Sequence, residues 1–188
     1  MKLEFKDYSA DIEAIEQIYL EAFPEEDRYP FWTIKQCAKS EDIDFQGIYM
    51  DSHLIGFVYL IHYLEFIYLF YLAVKADERN HGCGSQILQD LIAKYPDKKL
   101  LLCIDAPNNK DEMRDRRRSF YLRNGLYSTN TILDNHGYLY EILCSDRDFK
   151  PSKDIISAIY KTLAPANEAG NTIRQTLEVE GIKLQNKK

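Results

Sequence analysis

A glycine-rich stretch between an apolar run and an amphipathic segment most constrains what this chain can fold into. The stretch is Arg79–Gly84, with the sequence Arg-Asn-His-Gly-Cys-Gly, and it follows the apolar run Ile67–Val74. Apolar residues at helical spacing predict a helix over Ser85–Tyr95 that begins on the second glycine. Backbone N–H groups at a helix N-terminus attract anions. The sequence therefore predicts a strand–loop–helix unit with a phosphate site at the loop.

Length and composition indicate one globular domain. The chain has 188 residues, of which 45% are hydrophobic and 29% charged, which is enough to bury a core. The net charge of −6 argues against nucleic acid as a partner, because phosphate contacts need a basic surface. The N-terminal segment lacks the apolar region of a signal peptide, so we expect a cytoplasmic protein. A homodimer is left open.

The cysteines predict neither a metal site nor a disulfide framework. They are spread along the chain without a C-x-x-C pair, which is the spacing typical of zinc sites. We therefore expect free thiols and no metal. The four cysteines are Cys37, Cys83, Cys103 and Cys144.

The longest apolar stretch is Leu54–Val74, which is long enough to cross a bilayer as a helix. Its content of Tyr, Phe and Ile favours strands instead, as does the early Gly56. A polar interruption stands at His62–Glu65. We therefore predict two buried strands joined by a turn near His62–Glu65, and no membrane partner.

The remaining patterns alternate between strand and helix. Predicted strands are Leu3–Tyr8, Phe45–Met50, Leu54–Ile61, Phe66–Val74, Lys99–Ile104, Ser128–Leu133 and Tyr138–Cys144; predicted helices are 12–22, Phe31–Lys39, Ser85–Tyr95 and Glu112–Asn124. The order β-α-α-β-β-β-α-β-α-β-β predicts an α/β (α+β) domain over residues 1–145. Its mixed central sheet has about six to seven strands flanked by helices. Residues 146–188 differ in composition and are predicted to be a C-terminal extension, partly helical or disordered.

Three kinds of glycine-rich phosphate loop compete for this site. A P-loop is excluded, because no lysine follows either glycine. A dinucleotide loop fits poorly, because Ile87 stands at the third glycine position and Lys75–His81 separates the strand from the glycines. The third pattern, Arg-x-x-Gly-x-Gly after a strand and a short acidic turn, fits Arg79–Gly84.

Two segments together resemble one known family. Tyr71–Ser85 resembles the acyl-CoA motif of the GCN5-related N-acetyltransferases, the GNAT superfamily. Ser119–Tyr127 is similar to the F-Y-x-x-x-G-F element of that family, although Leu126 rather than an aromatic residue follows Gly125. The two segments lie about forty residues apart, as in the family. The resemblance covers residues 1–145 and implies a single GNAT-like domain.

The resemblance implies acetyl-CoA as the co-substrate. In the family, the strand corresponding to Phe66–Val74 separates from that corresponding to Lys99–Ile104, and its free edge pairs with the pantetheine arm. The pyrophosphate then lies on the amides of the glycine loop. The residues implied to bind acetyl-CoA are Leu72, Ala73, Val74, Arg79, Asn80, His81, Gly82, Cys83, Gly84 and Ser85.

The resemblance also implies how the acyl transfer proceeds. Tyr121 matches the position of the general acid that protonates the departing thiolate, and a phenol with an ordinary pKa of about 10 holds its proton at neutral pH. A backbone N–H near Val74 is implied to polarise the thioester carbonyl. We expect the side chain of Cys83 to pack into the helix rather than act as a nucleophile. Asn108 resembles the asparagine that often follows the fifth strand, but it stands farther from Tyr121 than in many members. The general base stays unassigned; candidates are Glu65, Asp105, Glu25, Glu26 or an ordered water.

The sequence leaves the acceptor open. In the family, the first helices with their loop, here Ala22–Lys39, and the last hairpin contact the acceptor. The segment Phe23–Trp32 mixes acidic and aromatic residues, which suits a cationic amine or, equally, a packed connection. The predicted function is N-acetyltransfer from acetyl-CoA to a primary amine of a small molecule or peptide, by direct attack in a ternary complex. The alternatives are a catalytically inactive acyl-CoA-binding module and a nucleotide-binding dehydrogenase.

Five arginines crowd the predicted helix Glu112–Asn124. Acidic residues nearby offer ion pairs, so most of this surface is expected to be a solvated charged face. One or two of the arginines could instead reach the 3′-phosphate of CoA or an acidic acceptor. They are Arg114, Arg116, Arg117, Arg118 and Arg123.

Overall fold

Within the residues that the structure describes, eight strands form one mixed sheet and six helices cover its faces. The computed structural model describes residues 2–107, 111–135, 137–164, 168–177 and 183–186. The strands are β1 (Leu3–Asp7), β2 (Ile43–Met50), β3 (His53–Tyr63), β4 (Phe66–Val74), β5 (Lys99–Asp105), β6 (Tyr127–Asn135), β7 (Tyr138–Cys144) and β8 (Lys183–Asn186). The helices are α1 (Ile12–Ala22), α2 (Phe31–Cys37), α3 (Cys83–Lys94), α4 (Glu112–Arg123), α5 (Lys153–Leu163) and α6 (Glu168–Leu177).

The strand order across the sheet is β1-β2-β3-β4-β5-β7-β6-β8. The predicted mixed sheet and the predicted element order are confirmed, and β8 adds an edge strand beyond the seven predicted. The apolar stretch Leu54–Val74 is accommodated in β3 and β4, as predicted. In the part of the chain that is described, no helix is long and apolar enough to cross a membrane.

Two apolar layers sandwich the sheet, because its strands alternate side chains between the faces. On β3, Phe57, Tyr59 and Ile61 join the layer that also holds α1, α2, α5 and α6. Val58 and Leu60 point to the other layer, which is covered by α3 and by part of α4. The fold is therefore a three-layer helix–sheet–helix arrangement, with α3 and α4 on the same side.

Strand β4 carries a bulge and then separates from β5. Tyr59 pairs with Tyr71 while Leu60 pairs with Leu69, so Phe70 is an extra residue in β4. The parallel pairing of β4 with β5 extends only over Phe66–Tyr68 and Lys99–Leu101. Beyond these three pairs, β4 pairs with β3 alone among the described strands. The divergence of these two strands that the resemblance implies is present.

The residues after 145 pack onto the same sheet. Helix α5 buries Ile156, Ile159, Tyr160 and Leu163 in the layer shared with α1 and α2. The hydroxyl groups of Tyr160 and Tyr68 lie 3.2 Å apart, close to where β4 and β5 separate. Strand β8 pairs antiparallel with β6. The division of the chain into two segments at residue 145 stays a prediction.

Candidate active site

A cleft of about 1060 Å³ lies between the free edge of β4, the first turn of α3 and one side of α4. It combines an apolar strand edge with a helix N-terminus and several arginines. The residues that line it are Leu72, Val74, Arg79, Asn80, Gly82, Gly84, Ser85, Glu112, Met113, Asp115, Arg116, Arg117, Ser119, Phe120, Tyr121 and Arg123.

The glycine loop presents free amides to this cleft. Gly82 is the N-cap of α3 with a left-handed φ of 84°, and it offers no side chain to cap the helix. The first helical hydrogen bond runs from the Gln86 N–H to the Gly82 carbonyl, at 3.1 Å. The N–H groups of residues 83–85 therefore lie ahead of the helical hydrogen-bond ladder. These groups at the positive end of α3 form a seat for an anion.

The arginine of the motif connects the loop to the strand. Arg79 Nε donates a hydrogen bond to the Val74 carbonyl oxygen, at 2.9 Å. Between them, residues 76–78 form one short 3₁₀ turn. This contact holds the end of β4 beside the start of α3, so the apolar strand edge and the anion seat belong to one continuous surface.

The two glycines of the motif have different surroundings. A Cβ on Gly82 would meet no atom within 4 Å, so a ligand can approach the backbone there. A Cβ on Gly84 would lie 3.1 Å from Phe120 Cζ, so this glycine allows α4 to pack closely against α3. The prediction that the helix begins on the second glycine is wrong, because α3 begins at Cys83, directly after the left-handed Gly82.

The predicted binding residues fall into two groups. The cleft is lined by Leu72, Val74, Arg79, Asn80, Gly82, Gly84 and Ser85. Ala73, His81 and Cys83 are not among its lining residues. Ala73 is buried in the layer on the opposite face of the sheet, His81 is exposed in the loop, and Cys83 is 1% exposed within the α3 packing.

Tyr121 lies in the same cleft as the glycine loop. Its ring contacts Phe120 edge-on, with 5.1 Å between the ring centroids, and packs against the apolar layer under α3. Burial raises the pKa of Tyr121, and the nearby Arg117 guanidinium only partly opposes this effect. The phenol is therefore protonated at neutral pH, which is the state that a proton donor needs.

Three of the α4 arginines are engaged in ion pairs. Arg117 Nη1 lies 3.2 Å from Asp105, and Arg114 Nη2 lies 3.8 Å from the same carboxylate. Arg118 binds Glu141 on β7 through Nε at 2.6 Å and Nη2 at 3.1 Å, and this contact raises the pKa of Arg118. Glu141 has no exposed surface. The sequence pattern pointed to these arginines but not to Glu141, because Glu141 lies within a predicted apolar strand and belongs to no motif.

The candidate general bases are scattered. Glu65 directly precedes β4 and stands nine residues before its cleft end, Val74, which is about 30 Å at the rise of an extended strand. Asp105 is shared by two arginines. Glu25 is exposed in a short 3₁₀ turn. The side chain of Glu26 and all of Asn108 lie outside the described residues.

Of the aromatic residues in Phe23–Trp32, only Trp32 is largely exposed, at 47%, and the others pack against the apolar layer of α1 and α2. The Phe23 and Tyr71 ring centroids are 4.8 Å apart. Tyr19 donates a hydrogen bond from its hydroxyl to the Tyr29 carbonyl, at 3.0 Å, and Tyr71 donates one to the Asp27 carbonyl, at 3.4 Å. These contacts favour a packed connection over a binding site for a cationic amine in this segment.

A smaller cavity of about 260 Å³ lies between the end of β5 and the β6–β7 hairpin. Asp105 and Arg114 contribute charges to it, and Tyr138 and Tyr140 contribute rings. Burial raises the pKa of Tyr140, and Asp27 and Asp105 raise it further. Among the described residues, no three His, Cys, Asp or Glu side chains cluster as a metal site.

Comparison with known proteins identifies the fold. A model of the acetyltransferase (GNAT) family matches residues 12–125. No curated protein sequence matches the chain. A protein from Bacteroides thetaiotaomicron that is assigned to the GNAT family has a TM-score of 0.68 at 20% identity, over 86% of this chain and 95% of that one.

Two further solved structures have the same fold at low identity. An Escherichia coli ribosomal-protein alanine N-acetyltransferase has a TM-score of 0.60 at 17% identity, over 76% of this chain and 91% of that one. An aminoglycoside 6′-N-acetyltransferase complexed with coenzyme A has a TM-score of 0.62 at 14% identity, over 81% of this chain and 100% of that one.

Proposed function

The chain belongs to the acetyltransferase (GNAT) family, and from that premise we propose that it transfers an acetyl group from acetyl-CoA to a primary amine of a small molecule or peptide. One observation carries the proposal: a free strand edge, an uncapped helix N-terminus and the half-buried Tyr121 line a single cleft. The solved relatives include enzymes that act on a protein alanine and on aminoglycosides, which supports an amine acceptor. The cytoplasmic setting stays a prediction, and a homodimer remains open.

The cleft suits a ligand with amides at one end and phosphates at the other. Main-chain groups of β4 beyond Tyr68 have no partner from β5, so an extended amide chain can add to this edge as a strand would. The amides of residues 83–85 can then bind the pyrophosphate through charge-assisted hydrogen bonds. The pantetheine arm and the pyrophosphate of acetyl-CoA supply these two parts in this order.

The proposed reaction is direct attack in a ternary complex. The neutral amine attacks the thioester carbonyl carbon, a C–N bond forms, and the C–S bond breaks. Tyr121 donates its hydroxyl proton to the departing sulfur, and the proton lost by the amine leaves through water. A backbone N–H near Val74 stabilises the negative charge that develops on the carbonyl oxygen.

The decisive experiment measures thiol release from acetyl-CoA in the presence of a panel of amines, with each product checked by mass. We expect Tyr121→Phe to lower kcat about 100-fold while the Kd for acetyl-CoA stays unchanged, because the ring packing is kept and only the proton donor is lost. Tyr127→Phe is the matched control, since Tyr127 lies outside the cleft beside Arg147 and should leave kcat unchanged.

The outcomes separate the possible roles of this cleft. Equal kcat for Tyr121→Phe and the unchanged protein would refute the general-acid role. If the protein binds acetyl-CoA but releases no thiol with any amine of the panel, the result would point to the inactive acyl-CoA-binding module. No binding of acetyl-CoA at all would refute the proposed donor.

A further inference from the structure

Helix α4 carries more arginines than its ion pairs use. Arg114, Arg117 and Arg118 are paired with carboxylates. Arg116 and Arg123 also line the cleft, and within the described ranges no carboxylate oxygen lies within 4.0 Å of either guanidinium. The chain as a whole has a net charge of −6, so two uncommitted cations in one cleft form a local exception.

The two arginines lie on the same stripe of α4 as Phe120. Positions 116, 120 and 123 are four and three residues apart, which places them on one face of a helix. Phe120 packs beside Gly84 in the first turn of α3. With a rise of 1.5 Å per residue, Arg116 stands about 6 Å before this contact and Arg123 about 4.5 Å after it. Both arginines line the same cleft as the anion seat of α3.

The pyrophosphate of the donor can be bound at the N-terminus of α3 without Arg116 and Arg123. Arg79 already lines the loop side of the cleft, and the helix N-terminus suits the pyrophosphate. Guanidinium groups suit a second phosphate close by, because they bind phosphate oxygens through two parallel hydrogen bonds. Arg123 lies over the Phe120 ring, 5.5 Å from its centroid, and this stacking holds its guanidinium at the wall of the cleft.

We propose that Arg116 and Arg123 form a second phosphate subsite that binds the 3′-phosphate on the adenosine of the donor. This inference rests on the proposed function, in which the donor is acetyl-CoA. It narrows that function, because the subsite selects free CoA thioesters over pantetheine thioesters that lack the 3′-phosphate, including those carried on a protein.

The test compares two ligands that differ only in this phosphate. Calorimetry should give a Kd for dephospho-CoA about tenfold weaker than that for CoA. The double variant Arg116→Gln/Arg123→Gln should weaken CoA binding about tenfold and leave dephospho-CoA binding unchanged. Arg147→Gln is the matched control, because Arg147 lies outside the cleft over the Tyr127 ring. Thermal unfolding of each variant checks that the fold is intact, as we expect for substitutions at these exposed positions.

Each result decides between the two proposals. Equal affinity of the unchanged protein for CoA and dephospho-CoA would overturn the subsite but leave the proposed donor intact. Equal losses for both ligands in the double variant would also overturn it, because the arginines would then contact another part of the donor. Failure of the unchanged protein to bind either ligand would refute the donor, and the subsite with it.

Discussion

Removal of the buried carboxylate on β7 tests how α4 is held against the sheet. Glu141 is fully buried and accepts hydrogen bonds from Arg118 Nε at 2.6 Å, Arg118 Nη2 at 3.1 Å and Ser128 Oγ at 2.5 Å. An intact buried ion pair adds little net stability, because desolvation offsets the attraction. Loss of one partner leaves the other charge without its counter-ion, which lowers the free energy of unfolding by about 3–5 kcal/mol.

The structure sets where each variant falls in this range. Glu141→Gln removes the charge and keeps the shape, and the Arg118 side chain that remains is 29% exposed, so water can partly hydrate it. We therefore expect the lower end, about 3 kcal/mol. Arg118→Met leaves a carboxylate with no exposed surface, so we expect the upper end, about 5 kcal/mol. The double variant Glu141→Leu/Arg118→Met should lie within about 1 kcal/mol of the unchanged protein, because an apolar pair needs no desolvation.

Urea unfolding at pH 7 measures these differences. With a slope of about 2 kcal/mol per molar urea, a loss of about 3 kcal/mol shifts the midpoint by about 1.5 M. Asp105→Asn is the control, because its partners Arg114 and Arg117 are 38% and 55% exposed, and such exposed pairs contribute about 1 kcal/mol or less. The reasoning would be refuted by a loss below about 1 kcal/mol for Glu141→Gln, or by a double variant as unstable as the sum of the single ones.

Two glycines and one aspartate give further tests. In Gly56→Ala the new Cβ would lie 2.3 Å from the Ala73 carbonyl oxygen, so thermal unfolding should reveal a loss of about 1–3 kcal/mol, and a neutral result would contradict the strand spacing. Gly82→Ala meets no neighbour but has φ +84°, so its loss should be about 1–2 kcal/mol; Gly82→Asn, which tolerates this φ better, should lose less. The hydrogen bond from His62 lowers the pKa of Asp44 from 3.8 to about 2, so its stabilising effect is present above pH 4 and is lost as the pH falls towards 2. Unfolding midpoints should therefore fall more steeply between pH 4 and pH 2 in the unchanged protein than in Asp44→Asn.

Elements that depend on local patterns could be predicted from the sequence. The β3–β4 hairpin and helix α3 follow from apolar spacing and from one polar interruption. The bulge at Phe70 has no such signal, because it depends on how two strands align. Strand β8 is short and polar, and only its pairing with β6 makes it a strand.

The site divides in the same way. Contiguous motifs indicate the glycine loop and Tyr121, and the structure brings both to one cleft. The partners of the α4 arginines were not predictable, because Asp105 lies 12 residues from Arg117 and Glu141 lies 23 residues from Arg118. Ion pairs across such distances follow from the tertiary fold rather than from sequence spacing.

The incomplete pairing of β4 also matters before the chain is finished. Strands β1 to β4 come entirely from the first 74 residues, so during synthesis they can assemble before β5 leaves the ribosome. At that stage the whole aromatic edge of Phe66–Val74 is open, and an exposed apolar edge is a template for pairing with other chains. Once β5 has docked, three pairs protect the start of this edge and leave the rest open. A ligand that pairs along the open part would therefore also act as a cap against self-association of the mature protein.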